Sequence, residues 1–296
     1  MKQLRFLCDY VLGGVGVLYL FTIGVLRARH RIFIQNLVSH LGLRRDKVAT
    51  RPLSILPTIH VNSLLTSEQS VCLTEAEEVY GNVSTLELAL INSFVRRLGP
   101  KAIFEIGTFD GRTTLNMAAN APTDCRLFTL DLPADQTETA ALRLDEWDRH
   151  YILKSESGSR FKGHPLSQRI VQLLGDSATF NYTPFLGQMD MVFVDGSHSY
   201  EYVLSDSRIA FQLLRRCGII IWHDYGCDCL GVTLALNELF ASGGEFKALR
   251  HIRGTRLAYL ERRPETTCPP PVGGGIFPVA TTKTRNTRSL WPESSR

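Results

Sequence analysis

What this chain lacks narrows its reading first. Its seven cysteines (8, 72, 125, 217, 227, 229 and 268) are odd in number and scattered, which argues against a disulfide framework and for a reducing compartment. Only Cys227 and Cys229 in "HDYGCDC" are close, and no second pair accompanies them. A soft-metal site of His223, Cys227 and Cys229 is therefore an alternative that lacks structural-zinc spacing. Strong charge is absent too. The formal net charge is +4, with basic residues gathered in 27–51 and in the C-terminal tail. That distribution suits an anionic surface better than base-specific reading, and no finger, basic zipper or aromatic-basic interleaving occurs, so nucleic acid is not an expected partner.

Long apolar runs are missing except for one. Residues 10–26, "YVLGGVGVLYLFTIGVL", are uncharged and sit at the short limit for a membrane helix, about 17 to 25 residues. Lys2 and Arg5 precede the run and "RARHR" follows it, so the larger basic cluster predicts an N-out, C-in anchor with the remaining chain in the cytoplasm. Those arginines occupy the place of a small-residue cleavage site, which disfavours a cleaved signal. A buried or amphipathic leading helix remains the alternative. The "GGVG" inside the run follows no strand and is no dinucleotide fingerprint.

What is present is a globular composition, 44% apolar and 21% charged. The organisation reads as a hydrophobic segment at 1–31, a connector at 32–75, a catalytic-sized domain at 76–265 and a Pro/Gly/Ser/Thr-rich disordered tail at 266–296. A helix is predicted from Thr74 to Arg97, closed by Gly99-Pro100. Apolar runs at 102–106, 127–132, 170–174, 191–194 and 219–222 alternate with helical patterns or connectors, the signature of a parallel sheet covered on both faces. "FKALRHI" and "RLAYLER" form a hairpin around Arg253-Gly254. The expected fold is α/β and Rossmann-like: a seven-stranded, mostly parallel sheet with a C-terminal antiparallel hairpin and helices on both faces.

"AIFEIGTFDGRTTLNMA" is the most informative stretch. A strand ending at Ile106 runs into a turn with Gly107, Thr108 and Gly111, then a helix from Arg112 or Thr113. The pattern is Glu-x-Gly-x-x-x-Gly; Phe109 occupies the middle position of Gly-x-Gly-x-x-Gly, which disfavours a pyrophosphate cradle, while Glu105 suits a cationic or amine-bearing ligand. The next strand ends in Asp131, and a third delivers Asp176 and Ser177. Each aspartate alone reads as a helix cap, but three acidic tips on consecutive strands point to a ligand beyond the carboxyl ends of the sheet.

"FEIGTFDGRTTL" resembles motif I of the catechol and caffeoyl-CoA O-methyltransferases. The stretch from about 101 to 262 resembles the related bacterial family of antibiotic-sugar and macrolide O-methyltransferases, most specifically in "TFNYTPFLGQMDMVFVDGSHSYEYVLSDSRIAFQLLRRCGIIIWHDYG". The resemblance implies a class I fold, S-adenosylmethionine as methyl donor and, in many members, a divalent metal. It implies that Glu105, Gly107, Thr108 and Gly111 line the methionine end, that Asp131 holds the ribose, and that Asp176 and Ser177 face the adenine, with Asp195 also at the cofactor.

Strands four and five of this fold are neighbours, so Asp195 at one tip and His223-Asp224 at the next project over the same sheet edge. Asp195, Asp224 and His223 are the candidate ligands for Mg²⁺ or Mn²⁺. His198 is the preferred general base and His223 the competitor. Two departures qualify the resemblance: Ser197 stands where some antibiotic-sugar enzymes carry the catalytic aspartate, and Tyr225 where catechol enzymes carry a liganding asparagine. The expected function is metal-assisted O-methylation of a hydroxylated small molecule or sugar. A nicotinamide-dependent oxidoreductase and a non-catalytic, membrane-tethered S-adenosylmethionine-binding module are the rival readings. The acceptor, membrane association and oligomeric state stay open.

Overall fold

Alternate residues of each apolar strand face opposite sides of one sheet, and the helices cover both. The computed structural model describes residues 54–64, 70–154, 156–226 and 229–262, with isolated positions between 12 and 26. The tail from 266, and Cys227 among the candidate soft-metal ligands, lie outside them. The chain divides into Met1–Ser54 and Ile55–Arg296. In the first unit, Leu12, Gly14 to Gly16, Leu18 and Tyr19 are helical. The candidate anchor at 10–26 is described only in part, and no helix among the described residues is long and apolar enough to cross a membrane.

In the second unit eight strands form one sheet in the order β1-β7-β8-β6-β5-β2-β3-β4. They are β1 (Thr58–Ile59), β2 (Ala102–Ile106), β3 (Arg126–Asp131), β4 (Ile170–Leu174), β5 (Met189–Val194), β6 (Leu214–Trp222), β7 (Arg250–Ile252) and β8 (Ala258–Arg262). Every pairing is parallel except those of β8 with β6 and β7. The sheet has one strand more than expected, because Thr58–Ile59 of the connector pairs with His251 and Ile252.

Phe104, Ile106, Val192, Val194, Ile220 and Trp222 pack on one face against α4 (Tyr200–Leu213) and α5 (Leu230–Ser242). Ile103, Leu127, Met191, Phe193, Ile219 and Ile221 pack on the other with residues of α1 (Thr85–Leu98) and α2 (Arg112–Asn120). Each such side chain, fully buried, contributes about 1.5–3 kcal/mol. A short α3 (Glu146–Ile152) lies between β3 and β4. Cys217 on β6 is disulfide-bonded, whereas Cys72, Cys125 and Cys229 are not, so the chain is not wholly thiol.

Helix α1 begins at Thr85, not Thr74. Ser84 and Glu87 form a reciprocal capping box that fixes the start, and the preceding carbonyls are claimed from outside. The wholly buried Arg112 guanidinium donates to the carbonyls of Glu75 (2.8 Å), Ala76 (3.0 Å) and Val83 (2.8 Å). One and two turns further along α2, Asn116 bonds the N–H and C=O of Thr74 at 2.9 and 2.6 Å, and Asn120 bonds both groups of Cys72 at 2.8 Å. Residues 72–76 are thus strapped along α2 by side chains at a helical spacing of four.

Candidate active site

Gly107 turns the chain after β2 with φ +98°, and a Cβ there would sit 2.0 Å from the Asp195 carbonyl oxygen. Only glycine lets the first turn pass this close to the β5 tip. Gly111 caps α2 in the left-handed region, where a Cβ would run 2.5 Å from the Phe161 ring. Phe109 also has a positive φ of 49°, an uncommon conformation for a bulky residue, and its ring meets Tyr151 edge-on with centroids 5.7 Å apart.

Beyond these turns lies a cleft of about 600 Å³. Of the expected cofactor residues, Gly107, Asp131, Asp176, Ser177 and Asp195 line it. Glu105, Thr108 and Gly111 do not. Glu105 is fully buried, and one carboxylate oxygen accepts from Thr129 (2.6 Å) and Thr114 while the other has no hydrogen-bond partner. Burial pushes its carboxyl up to about 8, so it is protonated at neutral pH despite the two threonines. Thr108 is tied to Thr129 at 2.6 Å.

Two of the aspartates lining the cleft, Asp131 and Asp176, are already engaged. Asp131 Oδ2 accepts from Ser157 Oγ at 2.5 Å and pairs with Lys154 Nζ at 2.6 Å. Asp176 accepts the N–H of Ala141 (2.6 Å), the N–H of Ala178 (2.9 Å) and the Tyr202 hydroxyl (2.9 Å). Asp176 therefore ties the 141 segment and α4 to the end of β4.

At the other end of the cleft, the tips of β5 and β6 bring Asp195, His198, His223 and Asp224 together. His223 Nδ1 lies 3.1 Å from both Asp195 Oδ1 and Asp224 Oδ2, and its Nε2 lies 3.4 Å from Glu87 Oε2. His198 Nε2 meets the same Asp224 oxygen at 3.0 Å, while its Nδ1 meets Asp148 Oδ1 at 2.5 Å. Asp224 reaches both rings from a left-handed backbone, φ +61°, an outlier of the kind stored at functional sites. Ser199 caps α4 by accepting from the Tyr202 N–H.

The electrostatics follow from this alternation of rings and carboxylates. Burial works against a charged His198, but hydrogen bonds to Asp148 and Asp224 outweigh it and raise its pKa well above the ordinary value. His223 is raised likewise, against burial, by the charges of Asp195 and Asp224. Burial would raise Glu87, yet the His223 hydrogen bond and charge, the Arg256 N–H and Ser84 bring it down to about 2. Asp224 is held far below the usual carboxylate range by His223 and His198, again against burial.

Asp195 Oδ1, His223 Nδ1 and Asp224 Oδ2 fit a cation, because the three donors lie within 4.8 Å of one another. Glu87 behind His223 Nε2 supplies the carboxylate that metal-binding imidazoles ordinarily carry on their second nitrogen. Glu87 and Asp148 escaped the sequence reading. Each stands at the third position of a capping box, after Ser84 and after Asp145, and such spacing signals a helix start and nothing more. Tyr225 is no ligand: it is buried, accepting from the Leu56 N–H and donating to Asn237. Ser197 donates to Asp148 at 2.5 Å.

Residues 104–225 match the model of a family described as a methyltransferase domain. No curated protein matches the chain significantly. Among solved structures, the O-methyltransferase TomG of Streptomyces achromogenes, involved in tomaymycin synthesis, is 19% identical, with 63% of this chain and 92% of that one covered and a TM-score of 0.41. The methyltransferase PaMTH1 of Podospora anserina is 19% identical over 62% of this chain and 81% of that one, with a TM-score of 0.46. Scores this low carry no weight for the assignment, which rests on the sheet order, the strand-tip residues and the family model. These coincide on one segment, and residues 104–225 carry a methyltransferase domain.

Proposed function

We propose that this domain transfers a methyl group from S-adenosylmethionine to a hydroxyl of a small acceptor at the β5–β6 end of the cleft. The observation that carries the reading is that Asp195 belongs both to the cleft and to the cluster of His198, His223 and Asp224. Asp131 would hold the cofactor's ribose in place of Lys154 and Ser157, the Gly107 turn would receive its methionine end, and the bound cofactor would supply the methyl group. Holding acceptor oxygen, methyl carbon and sulfur in line is the main source of rate in such a transfer, worth about 7–11 kcal/mol where the geometry is good.

His198 suits the role of proton acceptor better than His223. Its Nδ1 is occupied by Asp148, which orients the ring and stabilises the imidazolium that forms, while Nε2 faces Asp224. Both rings are held on both nitrogens, but His223 is the more enclosed and is a candidate cation ligand through Nδ1. Mg²⁺ or Mn²⁺ would be held by Asp195, Asp224 and His223, and when bound acidifies the acceptor hydroxyl. The basic cluster after residues 10–26 favours attachment to a cytoplasmic membrane face, which carbonate extraction of the expressed protein tests.

The experiment pairs calorimetric titration of S-adenosylmethionine with methyl transfer to a panel of hydroxylated acceptors. Asp195→Asn is expected to lose turnover and its response to Mg²⁺ while still binding cofactor. Full activity in Asp195→Asn, or of the parent enzyme in excess chelator, refutes the metal-assisted mechanism. Tighter binding of a nicotinamide cofactor than of S-adenosylmethionine would favour the oxidoreductase reading instead.

A further inference from the structure

A second convergence of metal-binding atoms overlaps the first and adds a thiol that the proposed mechanism leaves unused. His198, Asp224 and Cys229 present nitrogen, oxygen and sulfur donors that all lie within 4.8 Å of one another. They come from three elements: the turn after β5, the tip of β6 and the residue capping the start of α5. The approach is built into the backbone. At Gly231, in the first turn of α5, a Cβ would stand 2.3 Å from the His198 carbonyl oxygen and 2.6 Å from the Tyr200 nitrogen. Without glycine there, α5 could not start against the 198–200 turn, and Cys229 would be held away from the imidazole.

We propose that His198 Nε2, Asp224 Oδ2 and Cys229 Sγ form a binding site for a borderline-soft divalent cation, of which Zn²⁺ is the natural example. Tetrahedral zinc with bonds of about 2.0–2.3 Å separates its donors by roughly 3.3–3.8 Å. The 3.0 Å between His198 Nε2 and Asp224 Oδ2, and the 4.8 Å bound on all three, bracket that spacing. The thiolate and imidazole select Zn²⁺ or Co²⁺ over Mg²⁺, which prefers oxygen ligands and octahedral geometry. An independent feature points the same way. Asp148 occupies His198 Nδ1 at 2.5 Å, orienting the ring so that Nε2 is the nitrogen presented to Asp224 and, once its proton is displaced, to a cation, as the outer carboxylate of a metal-bound histidine does. Three protein ligands leave a fourth position open.

The sequence alternative of His223 with Cys227 and Cys229 is thereby altered: the thiol of Cys229 groups with His198 and Asp224. Asp224 Oδ2 is shared, since it also faces His223 Nδ1 at 3.1 Å. The soft site and the Asp195–Asp224–His223 position therefore compete for one oxygen. On the methyl-transfer reading, Zn²⁺ at the soft site also removes His198 from proton transfer and inhibits; the binding claim itself does not depend on that reading.

Titration of the full-length protein with Co²⁺, followed by absorbance, tests the site without any methyl acceptor. The expected spectrum has intense visible bands of a four-coordinate ion and a near-ultraviolet thiolate-to-metal band, both displaced by Zn²⁺. Cys229→Ser, which supplies a favourable helix cap, is expected to lose the near-ultraviolet band. Asp148→Asn should weaken Co²⁺ binding about 10- to 100-fold. As a measurement on the unaltered protein, Zn²⁺ should slow iodoacetamide alkylation of Cys229 and leave the exposed Cys72 unaffected. A wild-type spectrum without the thiolate band, its persistence in Cys229→Ser, or unchanged alkylation of Cys229 overturns the proposal. Failure to methylate any acceptor, with the cobalt spectrum intact, would instead count against the function proposed above.

Discussion

Replacing Glu105 by Gln isolates one buried proton. Glu105 is fully enclosed beneath the first turn, and its carboxyl is pushed from an ordinary value of 4.5 up to about 8 by burial. A carboxyl whose folded-state pKa is raised stabilises the fold fully below its unfolded pKa, and that stability drains away as pH climbs toward the folded value. A gap of roughly three and a half units, at about 1.4 kcal/mol each, makes the whole effect about 5 kcal/mol, of which about 2 kcal/mol falls between pH 6 and 8. Glutamine keeps the acceptor for Thr114 and Thr129 and cannot ionise. The variant should match the parent near pH 4 and exceed it increasingly as pH rises from about 5 to 8, with a melting-temperature gap at pH 8 larger than at pH 6 by roughly 4–8 °C. Differential scanning fluorimetry of the cofactor-free protein across pH 4–9 measures this. Asp206 belongs in the same experiment. It too is buried and is raised to about 7, since neither oxygen has a well-formed hydrogen bond, although the Ser177 hydroxyl offsets part of the desolvation. Asp206→Asn should remove a second proton's worth of slope. Parallel pH profiles for the parent and Glu105→Gln would refute the assignment of a protonated carboxyl beneath the turn.

Because His198 is held protonated above its ordinary pKa by Asp148 and Asp224, a base at this position works only once deprotonated. The kcat/KM of methyl transfer should rise with pH through an apparent value above 6.5, and Asp148→Asn should shift that limb to lower pH; a flat profile from pH 6 to 9 removes His198 from the role. Lys154→Ala frees Asp131 from the salt bridge that a ribose must displace, so cofactor titration should show affinity within a few-fold of the parent or tighter, and a tenfold loss would mean that Lys154 itself holds the cofactor. Arg112→Met leaves the carbonyls of Glu75, Ala76 and Val83 without their donor and should cost about 3–5 kcal/mol in urea unfolding, with early proteolysis between residues 72 and 83.

The legible part of the fold was the part written in periodicity. Runs such as "MVFV" and "IIIW" bury both faces and are read directly as central strands, and Asp195 and His223-Asp224 at their ends meet because adjacent parallel strands bring their carboxyl ends together. What escaped is written in long-range hydrogen bonding. Arg112 reads as a first-turn arginine, yet it lies wholly buried and unwinds the predicted helix before Ser84 by claiming three carbonyls some thirty residues upstream. Asp148 and Glu87 read as capping carboxylates, which they are, but each also orients a histidine from an element distant in sequence. Glu105 shows the converse error. Its place at a strand end suggested a ligand contact, while β2's alternation sends its side chain to the same face as Ile103, toward α2 and away from the cleft. Strand-end position alone therefore says that a residue is near the site; the parity of its position along the strand decides on which side of the sheet it works. By that test Asp195, beyond the end of β5, escapes the alternation altogether, and so it can belong to the cleft and to the histidine cluster at once.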